Sequence, residues 1–116
     1  MADLNPIVRR VMNLCTSIVS QDVSLDVAAF PGVYTWHEIT GVNRTNATTT
    51  IEIGLKRGRE FYAYRCANAV AADRSVRLQT HIVAPEGFVP CARFKVAVAG
   101  DELELIVNGH LGHFAM

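Results

Sequence analysis

The residues best equipped for chemistry in this chain are four histidines, His37, His81, His110 and His113, and three cysteines, Cys15, Cys66 and Cys91. Imidazole is a base near neutral pH and a common metal ligand, and a thiolate is a nucleophile or ligand where its surroundings lower its pKa. The spacing argues against most of that chemistry. His110 and His113 occur as His-Leu-Gly-His, and on a regular strand residues three apart point to opposite faces. Shared coordination would need a bulge at Gly112, so surface or subunit-contact histidines are expected. His37 stands between Trp36 and Glu38, a grouping suited to a sugar site, and His81 falls on the polar side of its segment; neither has a partner legible in the sequence.

A thiol nucleophile needs a histidine beside it in space, and no local signature of one is present. The odd cysteine count, without CxxC or metal-type spacing, excludes a complete intrachain disulfide framework by parity. Three arrangements remain open: buried free thiols, bonds between chains through Cys15, Cys66 or Cys91, and one internal bond with one free thiol. There is no Walker loop, GxGxxG, HExxH or GxSxG sequence. No cofactor or metal is implied, and the chain is not expected to be an enzyme.

Eleven basic residues balance eleven acidic ones, so no overall field draws the chain to nucleic acid or to anionic lipid. Lys56-Arg57-Gly58-Arg59 is the nearest thing to a basic patch and reads as a solvated turn. Asn43-Arg44-Thr45 and Asn46-Ala47-Thr48 fit the glycosylation sequon, but no signal peptide precedes them, and an Asn/Thr turn is the expectation. No stretch is long and apolar enough for a membrane span. Synthesis and folding in the cytoplasm are expected. A mean hydropathy of +0.19 is apolar for 116 residues, which points to surface covered by a partner.

The elements that must position these residues are short and mostly extended. Asn5-Pro6 reads as a helix start, and Ile7, Val8, Val11, Met12, Leu14, Cys15, Ile18 and Val19 recur at three-and-four spacing. An amphipathic helix is therefore expected over about residues 5–20, packing within its own domain or on a neighbouring subunit. Period-2 alternation then marks strands at residues 23–27, 33–42, 48–55, 61–67 and 76–82. The strand at 61–67 carries aromatics on both faces and is expected to be covered on both. Residues 93–114 read as two consecutive hairpins, the first turning at Ala99-Gly100-Asp101 and the second at Asn108-Gly109. The expected fold is mainly β: a single domain over residues 1–116, an antiparallel, jelly-roll-like β-sandwich of about seven to eight strands after one helix.

Residues 33–109 carry an extended strand, an Asn-Arg-Thr-Asn turn, the alternating strand at 48–55 and a Gly100-Asp101-Glu102-Leu103 step into a late strand. This run resembles small β-sandwich virion proteins of tailed bacteriophages. The resemblance implies a structural role in the virion, as a capsid decoration, linking, neck or tail component. The implied partners are copies of itself and other virion proteins such as the major capsid protein, without nucleic acid or membrane. The N-terminal segment lies outside the matching pattern. A second resemblance, to galectin-like lectins, rests on the segment FKVAVAGDELELIVNG and on Trp36-His37-Glu38, but the His-x-Asn-x-Arg core of those lectins is absent. The residues expected to form contacts are Ile7, Val11, Ile18, Tyr34, Trp36, Tyr62 and Phe114.

Overall fold

A computed structural model describes residues 6–17 and 19–112. Eight strands follow one another: β1 (Pro6–Leu14), β2 (Ser20–Ser24), β3 (Tyr34–Asn43), β4 (Thr48–Arg57), β5 (Glu60–Val70), β6 (Val76–Ala84), β7 (Val89–Lys95) and β8 (Glu102–Leu111). A single 3₁₀ turn, Val27–Ala29, is capped by the Asp26 carboxylate, which accepts from the Ala28 N–H at 3.0 Å. The strands form two antiparallel four-stranded sheets, β1-β8-β3-β6 (sheet A) and β2-β7-β4-β5 (sheet B). Successive strands repeatedly change sheet, the connectivity of a jelly roll.

The N-terminal segment departs from expectation, because residues 6–14 are a strand. Ile7, Val8 and Val11 are β-branched and fit a pleated surface better than a helix, and Pro6 is tolerated as the first residue of an edge strand. With apolar residues on both faces, the segment satisfies helical and strand periods alike. Pairing decides, in register from Ile7↔Gly109 to Leu14↔Glu102, because it satisfies the free edge of β8. Asn5 and Ile18, both parts of the helix reading, lie outside the described residues.

The terminal hairpins are also replaced. β7 pairs with β2 and β4, while β8 pairs with β1 and β3, so residues 96–101 cross between the sheets. Asn108-Gly109 lies inside β8, opposite Val8 and Ile7. Gly109 is there for close approach and not for a turn: a Cβ on it would collide with the Thr35 carbonyl oxygen and sit 2.7 Å from Trp36 Cε3. β5 is a sheet edge, largely exposed rather than covered on both faces.

Between the sheets lie Trp36, Ile39, Ile51, Ile53, Phe94, Leu103, Leu105 and Val107, all buried. Phe30 meets the Tyr34 and Trp36 rings edge-on at centroid distances of 5.4 and 5.8 Å, and Tyr34 stacks on Trp36 at 5.7 Å. The ends of the sandwich are tied by polar groups. Asp101 accepts from Asn43 Nδ2 at 2.9 Å, Asn46 Nδ2 at 2.6 Å and the Val98 N–H at 2.9 Å.

The tight seat of Gly109 gives a direct check on this architecture. Gly109→Ala is expected to destabilise the fold by about 1–3 kcal/mol through overpacking, read as a lower urea midpoint at unchanged slope. An unaltered midpoint would mean that β8 does not lie against Trp36.

Candidate functional site

Histidines from three strands meet on the outer face of sheet A. In β8 the core positions are Leu103, Leu105 and Val107, so Glu104, Ile106, Asn108 and His110 take the other face. In β3 both Trp36 and Ile39 are buried. The two-residue alternation is broken by a bulge between Trp36 and Glu38, seen in the pairings with both β6 and β8. The bulge carries His37 and Glu38 together to the outer face. His81 lies on β6 within the shifted stretch, between Gln79, opposite Glu38, and Ile82, opposite Trp36.

His37 Nε2 and His110 Nδ1 are 2.7 Å apart, and their rings stack at a centroid distance of 4.8 Å. His81 meets His37 edge-on at 4.7 Å. The short contact is a hydrogen bond, so one of the two nitrogens carries the proton and the other accepts it. Two nitrogens on one tetrahedral zinc would stand about 3.3 Å apart for bonds of about 2.0–2.1 Å. Among the described residues no group of three His, Cys, Asp or Glu side chains is set to hold a metal ion. What the arrangement can do is take up protons. Burial, and then the charges of His110 and His81, hold the His37 pKa below its ordinary value. Glu38 is turned to Arg77, at 3.4 Å. His113 lies outside the described residues.

Farther along the same face, Glu104 is fully buried and bound by two guanidinium groups. Arg44 reaches its Oε1 from Nη2 at 2.6 Å, Arg10 reaches its Oε2, and Arg44 also holds Asp73 at 2.8 Å. The outer face of sheet B is a charged lattice instead, with Asp22 between Lys56 and Arg93 and with Lys95 on Glu52. The basic run continues this pattern: Arg57 pairs with Glu60 at 3.0 Å, so it is in part the solvated turn expected.

The expected contact residues scatter. Tyr34 and Trp36 are buried in the core, which removes both as anchors for a partner and removes Trp36 as a platform for a sugar ring. Ile7 and Val11 are half-buried against the same core. Tyr62 is exposed, donates to Glu60 at 2.9 Å and leans on Phe88. Ile18 and Phe114 lie outside the described residues. All three cysteines are free, but Cys15 and Cys91 are buried and only Cys66 is exposed. Burial, with the Asp22 charge, pushes the Cys91 thiol up to about 12, so of the three expected interchain positions two are closed to a neighbouring chain in this fold.

Sequence reasoning missed the histidine cluster because it depends on the pairing of β3 with β6 and β8, which joins His37 to residues 44 and 73 positions away (81 − 37 and 110 − 37). One signal was present: apolar positions 34 and 36 are followed by 39, a change of parity that marks a bulge in β3.

Two measurements follow. Above about pH 6.5 His37 is neutral in both folded and unfolded chains. Because its folded pKa is lowered, the unfolded chain binds the proton first, and stability falls as pH drops below about 6.5 until the folded pKa is passed. Denaturant midpoints from pH 7.5 to 5 should decline in the wild type and decline less in His37→Gln; equal slopes would refute this role. Iodoacetamide on the native protein should label Cys66 alone, with Cys15 and Cys91 reacting only after unfolding, read by peptide mass mapping.

No family model matches the chain, and no curated protein matches it in sequence. Likeness appears among solved structures. The mitogen YPM of Yersinia pseudotuberculosis is 9% identical at a TM-score of 0.50, covering 97% of this chain and 92% of that one. The Drosophila NLP core is 10% identical at 0.51, covering 94% and 100%. A Bacillus endospore appendage protein that forms disulfide-linked pili is 13% identical at 0.47, covering 96% and 93%. At such identities the first two share a fold with this chain and nothing finer.

Proposed function

We propose that the chain is a non-enzymatic structural subunit of a bacteriophage-type particle, a capsid decoration, linking, neck or tail component. It works by burying apolar surface against copies of itself or a coat protein. One observation carries this reading: large apolar side chains crowd one end of the sandwich, each more than half exposed. Leu14 ends β1, Val19 belongs to the β1–β2 loop, and Val96 and Val98 belong to the crossing between β7 and β8; their exposures run from 57% to 74%. Backbone bonds sew these loops together, from Val96 N–H to the Val19 carbonyl at 3.3 Å and from Gly100 N–H to the Cys15 carbonyl at 2.8 Å. Val8 and Met12 extend the row along the outer side of β1.

Val96 sharpens the point. It holds φ at 60°, a conformation that a β-branched residue adopts only under strain, of order 1–3 kcal/mol. Strain that presents a valine to water is hard to explain by folding and simple to explain by contact with a partner. The sequence resemblance of residues 33–109 supplies the particle, and repetition by symmetry would multiply modest contacts. The Drosophila NLP core, which shares the fold, forms a pentamer.

Light scattering on a size-exclusion column should give a mass that is a multiple of 12.7 kDa, or the chain should co-sediment with assembled coat-protein shells. Val96→Asn with Val98→Asn should weaken association at least about tenfold while leaving the melting temperature unchanged or higher, since Asn tolerates a positive φ. A strictly monomeric chain that binds no shell would end the reading.

A further inference from the structure

β5 is a largely exposed edge strand. It closes one side of sheet B, its far side pairs with no strand among the described residues, and most of its 11 residues are exposed. Where β5 leads into β6 a cleft of about 400 Å³ opens, lined by Arg65, Asn68, Ala69, Arg74, Ser75 and Val76 among others. Small side chains floor it: Ala67, Ala69 and Ala71. Ala69 holds φ at 52°, strain that folds tend to keep at binding sites.

The charges around this cleft are unequal. Asp73, beside the lining residue Arg74, is held by Arg44. Arg65 and Arg74 are in no ion pair among the described residues. Two unmatched guanidinium groups therefore flank an open strand edge in a chain whose formal net charge is +0.

We propose that this edge docks an extended acidic segment of a partner protein, which adds to sheet B beside β5 as a fifth strand. Three features fix the occupant. A free backbone edge pairs with an extended chain through main-chain hydrogen bonds. Guanidinium groups prefer carboxylates in two-point contact, and the row of alanines leaves room for the guest's side chains. A nucleic acid fits poorly, because two arginines and zero net charge give little to follow a phosphate backbone. The proposal concerns a different surface from the apolar end and stands whether or not the chain belongs to a particle.

The probe is a fluorescent, capped heptapeptide alternating glutamate with valine and threonine, titrated by anisotropy against the full chain. Saturable binding is expected, weakened as salt rises, with hydrogen-exchange protection appearing at amides of residues 65–70. Arg65→Glu with Arg74→Glu should weaken binding at least about tenfold at unchanged melting temperature, Arg65→Lys with Arg74→Lys should retain part of it, and the control Arg59→Glu should leave it intact. A peptide N-methylated along one edge should not bind. The proposal fails if the acidic peptide does not bind, which would leave the arginines as guards against edge-to-edge aggregation. It fails too if the N-methylated peptide binds equally, or if an oligothymidylate binds more tightly than the peptide.

Discussion

The structure depends on the burial of Asp101. Chains that cross from one sheet to another leave ladder hydrogen bonds behind, and the freed groups must find partners inside the protein. Asp101 supplies them at the crossing from β7 to β8. Its carboxylate ties the Asn43 and Asn46 amides of the β3–β4 turn to the Val98 N–H, and its own carbonyl accepts from the Cys15 N–H at 2.8 Å. Burial alone would raise its pKa, but the bonds from Asn43, Asn46 and Val98 outweigh it and hold the carboxyl below its usual range. Three connections are thus tied through one residue, two by its carboxylate and the third by its main-chain carbonyl. The exposed valines Val19, Val96 and Val98 sit on those same connections, so the proposed contact surface shares its loops with this polar anchor.

The two outer faces solve the problem of charge in different ways. Sheet B spreads its ions in a half-exposed lattice, where each pair contributes little because water screens it. Sheet A buries one carboxylate, Glu104, and holds it with Arg10 and Arg44. Removing either partner from such a group leaves a buried charge uncompensated, which is costly. At the other end of the same face, the β3 bulge gathers His37, His81 and His110, where burial, and then its two neighbours, lower the pKa of His37.

The structure also separates side chains that hold the fold from those free to meet a partner. Trp36 and Tyr34, the aromatic residues that composition alone suggests for contact, are committed to the core. Smaller residues in strained or edge positions, Val96 and Ala69 among them, occupy the accessible places. This distribution follows from size: in a two-layer sandwich of this length the large rings are needed to fill the space between sheets.

The sequence by itself determined that the chain is mainly β, since alternation of Thr49, Ile51, Ile53 and Leu55, or of Val76, Leu78 and Ile82, depends only on which residues share a face. It also set the boundaries of β3, β4 and β6 to within a few residues. Tertiary structure decided the rest. Residues 6–14 suit a helix or a strand until β8 offers an edge to pair with, and Asn108-Gly109 suits a turn until Trp36 demands a residue without a Cβ. The histidine cluster, the buried Glu104 and the closed positions of Cys15 and Cys91 follow from register across strands far apart in the chain. Local pattern says which face a residue takes but not which strand it pairs with, because pairing energy is set by partners that the segment does not contain.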